Sequence, residues 1–202
     1  MDKKKAWKDA MHTWNIEAKS INNLMETINI EDFIKCIEII RDCQGKIITA
    51  GVGTSAAAAI KIAHSLSCIE HPSFFLSPGD AVHGALGSVQ NNDIVILISK
   101  GGNTEEIINI IPSLKIKKVI IIGVTENEDS VLAKNSDLLM KIQVKEEADA
   151  FNMLATTSTI TVIAVFDAVC IALMNLTKYS KEQFAIIHPG GAVGKRLLEE
   201  TK

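Results

Sequence analysis

The chain has 202 residues, 47% of them apolar, and a net charge of −3 at pH 7. That length and apolar fraction suit one domain with a full core. The acidic balance excludes a broad nucleic-acid-binding face but leaves room for a local basic pocket. Four cysteines, Cys36, Cys43, Cys68 and Cys170, form neither a CxxC nor a zinc pattern and read as reduced thiols of a cytoplasmic protein.

The N-terminal "MDKKKAWKDAMH" is charged and has no apolar core, so no secretory signal is expected. Residues 4–27 and 31–43 read as two helices, the second with acids in its first turn, and mark 1–45 as a helical segment ahead of a unit over 46–202. Short β-rich runs then alternate with helical stretches. Strands are expected at 46–51, 73–77, 93–99, 118–124 and 138–142, and helices at 54–69, 104–115 and 129–135. The run 80–87 is ambiguous. A long apolar helix is expected over about 153–177, then a short one from Ser180. Residues 156–176 are long enough to span a bilayer, but Asp167 sits mid-run and no basic flank precedes it, so a buried core helix is the better reading. Strands this apolar on both faces belong to a parallel sheet between helix layers. The pattern predicts a three-layer, doubly wound α/β fold with a five-stranded sheet and N-terminal helices.

Ligands of such sheets bind beyond the carboxyl ends of the strands, where strand order reverses. A 2-1-3-4-5 order places that crevice between the first and third strands. The loops there are "GVGTSA" (51–56), with Gly53, Thr54 and Ser55, and "SKGGNT" (99–104). Both lead into helices whose first N–H groups are unpaired. In the second, Ser99 and Thr104 offer hydroxyls, Gly101 and Gly102 admit close backbone approach beside Asn103, and Lys100 adds charge. An anion, a phosphate above all, is the expected guest. "GVGTSA" also fits a dinucleotide fingerprint, but the acid that should close the second strand is missing, and no P-loop occurs. His83 and His188 each sit beside glycine in a polar break. None of the five histidines is paired at i, i+4, so no metal is expected. Glu146 and Glu147 fall just past the fifth strand, at the ligand edge, where general-base work is plausible.

The motifs "GVGTSA", "PSFFLSPGDAVHGALG", "ISKGGNTEEI", "LATTSTITVIAVFDA" and "FAIIHPGGAVGKRLL" occur in this order. Together they resemble the SIS (sugar isomerase) domain family, in its arabinose-5-phosphate isomerase branch, over about residues 20–198. The resemblance implies a flavodoxin-like fold, a phosphorylated sugar as partner, no cofactor, and a homotetramer with shared active sites. It implies catalytic roles for Glu106, for Glu147 or Glu146, and for His188, with His83 in substrate binding. The family phosphate loop S-N-S-G-E-S is here Ser99 to Thr104, with Lys100 new. The family's first loop, G-x-G-K-S-G, has Thr54 in place of its lysine, and "C-P-L-G-L-A-P-T" is here "AFNMLATT". The regulatory CBS pair that many relatives carry is not expected. The function implied is an aldose–ketose isomerase working through an enediol. The alternative is a phosphosugar sensor without turnover.

Overall fold

The Ile- and Val-rich runs form one parallel sheet, as their two-sided apolar character requires. Five strands, β1 (Ile47–Gly51), β2 (Ser73–Phe75), β3 (Ile94–Ile98), β4 (Ile120–Thr125) and β5 (Leu138–Lys141), lie in the order β2-β1-β3-β4-β5. This computed structural model describes residues 1–191 and Arg196, so 192–195 and 197–202, which include the end of the last sequence motif, lie outside the described residues.

Register decides where the loops emerge. β1 and β3 pair from Ile47 opposite Ile94 to Gly51 opposite Ile98, so both strands end level. The chain leaves β1 toward β2 and leaves β3 toward β4, which opens the crevice between the two strands.

Helices cover both faces. On one, α2 (Ile30–Arg41), α3 (Thr54–Ser67) and α7 (Thr157–Thr177) bury Ile40, Ile62, Leu66, Phe166, Val169 and Leu173 against the sheet. α1 (Lys3–Thr27) lies over α7, and its Leu24 reaches the same cluster. On the other face α4 (Pro78–Ala81), α5 (Glu105–Lys117) and α6 (Val131–Asn135) bury Ala81, Ile107, Ile110, Leu114 and Leu132. A 3-10 turn, Ala85–Ser88, follows α4, and α8 (Lys181–Ile187) follows α7.

Three elements depart from the sequence reading for identifiable reasons. β2 stops at Phe75, because Ser77 caps α4 by accepting the Asp80 N–H and turns the chain away. The ambiguous run over 80–87 is shared between α4 and the 3-10 turn, with Gly84 left-handed at φ 114° between them. α7 starts at Thr157, not 153, because the residues before it form a braced loop. α7 also has the length and composition of a membrane span, yet one face packs on the sheet while Ile171 and Leu176 stay exposed. Asp167 in its middle is bonded to Lys61 of α3. It is a core helix on one side only.

Candidate active site

The loop after β3 is held by its own side chains. Ser99 is buried and its Oγ lies 2.7 Å from Thr104 Oγ1. Either hydroxyl can donate to the other, which leaves one hydroxyl proton for a ligand. The Gly102 N–H donates to Ser99 Oγ at 3.1 Å and to Ser99 O at 3.0 Å. Gly102 has φ 70°, and a Cβ there would meet Ser130 Oγ at 2.1 Å and Thr125 Oγ1 at 2.9 Å. Only glycine fits this turn. The Lys100 backbone is fixed as well, its carbonyl accepting from Thr125 Oγ1 at 2.7 Å and from the Glu126 N–H at 3.0 Å. The loop after β1 is simpler. Gly53, at φ 59°, turns the chain into α3, so that Thr54 and Ser55 open the helix beside Lys100.

Between the two loops lies a cavity of about 80 Å³, lined among others by Thr54, Ser55, Lys100, Thr125, Ser158 and Thr159. Lys100 is the charged residue of that lining. Its Nζ sits 2.7 Å from Glu147 Oε1. Glu147 is buried, with no exposed side-chain surface. Its Oε1 also accepts from Ser158 Oγ, and its Oε2 accepts from the N–H groups of Thr156 at 2.9 Å and Ser158 at 3.1 Å. Burial alone would push this carboxyl up. The Lys100 ammonium, the Ser158 hydroxyl and the two N–H groups at the α7 start outweigh it and hold the group down at about 2. Glu147 is therefore an ionised cap on α7 as well as the partner of Lys100.

A family model of the SIS domain matches residues 39–172. The chain belongs to the SIS domain family. Its relatives include arabinose 5-phosphate isomerase KdsD of Yersinia pestis, 38% identical over 91% of this chain and 56% of that protein. The KdsD of Pseudomonas aeruginosa is 35% identical over 94% of this chain and 58% of that protein. The chain thus spans just over half the length of the curated relatives it matches. Among solved structures, a Listeria monocytogenes protein described provisionally as a sugar-phosphate isomerase superposes with TM-score 0.93, at 53% identity over 94% of this chain and 100% of that one. An E. coli protein in complex with arabinose 5-phosphate superposes with TM-score 0.90, at 36% identity over 94% of this chain and 100% of that one.

Within this SIS domain the expected residues take up different positions. Thr54, Ser55 and Lys100 line the cavity, with Glu147 behind Lys100 and the Ser99–Thr104 hydroxyl pair in the loop that carries it. Glu106 in the first turn of α5 and His83 after α4 are exposed on the same carboxyl edge, as are Gly101 and Gly53. Asn103 is turned to scaffold work, its Oδ1 accepting the Val131 N–H at 2.9 Å at the start of α6. Of the two glutamates, Glu146 is exposed and Glu147 is buried.

His188 is not among the residues lining this cavity. Tyr179 Oη donates to Cys68 O at 3.0 Å, and Gln183 Nε2 to Glu70 Oε2 at 2.6 Å, so α8 begins beside the far end of α3. α3 starts at the cavity and runs 14 residues, about 21 Å at 1.5 Å per residue. The His188 ring stacks on Phe184 with centroids 3.8 Å apart, and its Nδ1 donates to Phe184 O at 2.9 Å. Nε2 is the ring nitrogen left outside that bond. Sequence reasoning missed Thr125, Thr156 and Ser158. The signal was present in "LATTST", a run of hydroxyls at the start of an apolar helix on the ligand edge.

Proposed function

We propose that this chain is an aldose–ketose isomerase for a phosphorylated pentose of the arabinose 5-phosphate type. The observation that carries the reading is a buried carboxylate facing a lysine on the glycine-containing loop after β3, in an SIS domain whose relatives are named arabinose 5-phosphate isomerases. The phosphate sits against Ser55, Lys100 and the loop from Ser99 to Thr104. The opened sugar places C1 and C2 toward Glu147, with His83 and Glu106 at the rim for sugar binding and ring opening. Glu147 accepts the C2 proton, the C–H electron pair becomes the C1=C2 double bond, and O1 takes a proton from His188. His188 then regains a proton from the O2 hydroxyl as Glu147 returns its own to C1, giving the 2-ketose phosphate.

The anchoring of α8 at the end of α3 away from Thr54, with His188 outside the cavity lining, supports an assembly in which a neighbouring subunit supplies it. Exposed Trp7, Met11 and Trp14 on α1, Ile171 and Leu176 on α7, and Ile186 beside His188 support burial between copies, in a homotetramer. The cytoplasm, where sugar phosphates are made and free thiols such as Cys43 and Cys68 stay reduced, is the compartment that fits. A phosphosugar sensor is the second reading. It is favoured by the saturation of Glu147 with donors and by Thr54 in place of the family lysine.

The test is NMR of deuterium incorporation from D2O at C1 and C2 of arabinose 5-phosphate. Wild type should exchange, and His188→Ala should exchange about a hundredfold more slowly with affinity held within a few-fold. Binding by thermal shift without any exchange would hand the protein to the sensor reading.

A further inference from the structure

A carboxylate held as low as Glu147 is a weak base, and it is also covered. Its side chain has no exposed surface, while that of Lys100, which lies against it, is 38% exposed. The two groups differ in how they are tied down. Glu147 is fixed by Thr156 and Ser158 of the α7 start, and its own N–H donates to Asn152 Oδ1 at 2.6 Å. Lys100 is fixed at its backbone, by Thr125 and Glu126. Its ammonium hangs on four flexible carbons and bonds Glu147 Oε1.

We propose that Lys100 is a latch on Glu147: an oxyanion dianion entering the loop after β3 draws the ammonium off Oε1, uncovering the carboxylate and raising its affinity for a proton. The proposal rests on the phosphate-ester reading of that loop. Two effects act in the same direction. Removing the cation from Oε1 takes away the group that favours the ionised form, and the incoming dianion adds a like charge nearby. Among the described residues, no other charge in the lining opposes them. α3 contributes Thr54, Ser55 and Ala58, β4 contributes Val124 and Thr125, and α7 contributes Ser158, Thr159 and Val162. Asp149, the next acid along the chain after Glu147, is occupied by the N–H groups of Phe151, Met153 and Leu154. Just before Glu147, Lys145 and Glu146 lie on a stretch open to solvent.

The consequence is selectivity in the chemical step. A sugar without a phosphate leaves the latch closed and meets no base, however well it fills the pocket. By reciprocity, protonating Glu147 must tighten dianion binding.

The test needs no turnover. Carboxyl 13C NMR of the full chain follows Glu147 over about pH 4 to 7, in chloride and then in sulfate, a dianion throughout that window. In chloride the resonance should stay flat, the group being held at about 2. In sulfate its midpoint should rise by on the order of two pH units or more, so that titration enters the window. In Lys100→Met it should enter without sulfate. A flat Glu147 in sulfate, with amide shifts over 99–104 showing the ion bound, overturns the latch. So does sulfate that leaves those amides unmoved, because the trigger is then missing. Should Lys100→Met not fold, the wild-type comparison decides alone. Deuterium exchange on arabinose 5-phosphate judges the isomerase reading separately. Exchange with a flat Glu147 sinks only the latch, and a responsive Glu147 without exchange sinks only the isomerase.

Discussion

Glu147 carries a stability signature that can be read against pH. Its carboxyl sits at about 2 in the fold against an ordinary value of 4.5. A depressed carboxyl contributes stability that is present above 4.5 and lost as pH falls toward 2, on the order of 3 kcal/mol in all. Glu147→Gln keeps the side-chain size but leaves Lys100 without its anion. It should cost roughly 2–3 kcal/mol at neutral pH by urea denaturation, with the gap to wild type narrowing in acid. An equal gap at both ends of that window would mean that the ionised carboxylate is not its source. Gly102→Ala tests the neighbouring loop. Both its φ of 70° and the contact with Ser130 oppose a Cβ, so a loss of about 1–3 kcal/mol is expected. Protection by arabinose 5-phosphate in a thermal-shift assay should be lost with it. The residues of this loop were legible in sequence, since Ser99, Lys100 and the glycines sit between an apolar strand and an acidic helix start. The Lys100–Glu147 pair was not, because 47 positions separate them and only the sheet order brings their loops together.

At the scale of elements, legibility followed burial. β1, β3 and β4 are buried along nearly their whole length, and their Ile/Val runs mark them in sequence. Boundaries were lost where side chains compete with the helix for backbone donors. Asp149 takes the N–H groups of Phe151, Met153 and Leu154, and Glu147 those of Thr156 and Ser158, so Met153 to Thr156, expected as the start of α7, are a loop instead. α5 shows the opposite case. Pro112 lies inside it, exposed, and the helix continues because Ile107, Ile110, Ile111 and Leu114 are buried on the sheet. Packing overrides the missing N–H and the ring clash. Pro112→Ala should therefore stabilise the protein by about 1–3 kcal/mol, part of the proline penalty being relaxed in place. A calorimetric Tm that does not rise would show that the helix is already adapted to the ring. Because Pro112 is more than a turn from Glu106, deuterium exchange on arabinose 5-phosphate should be unaffected.

At the scale of the whole molecule the question is which subunit completes which cavity. α8 is anchored by Tyr179 and Gln183 at the end of α3 farthest from Thr54, and His188 is folded back on Phe184 with its Nδ1 engaged. In the proposed assembly a cavity takes His188 from another copy, whereas Lys100 and Glu147 come from its own chain. Two inactive variants can separate these cases. Lys100→Met damages the cavity and keeps the donated histidine, and His188→Ala does the reverse. Each alone should exchange deuterium at a small fraction of the wild-type rate. Dissociated, mixed in equal amounts and reassembled, they should recover about a quarter of wild-type activity, because half of the cavities keep Lys100 and half of those receive an intact His188. The recovered activity should appear with the kinetics of subunit exchange and depend on protein concentration. A mixture that stays as inactive as its parts, in hetero-oligomers verified by native mass spectrometry, would place every catalytic group within one chain and leave His188 a structural cap on α8.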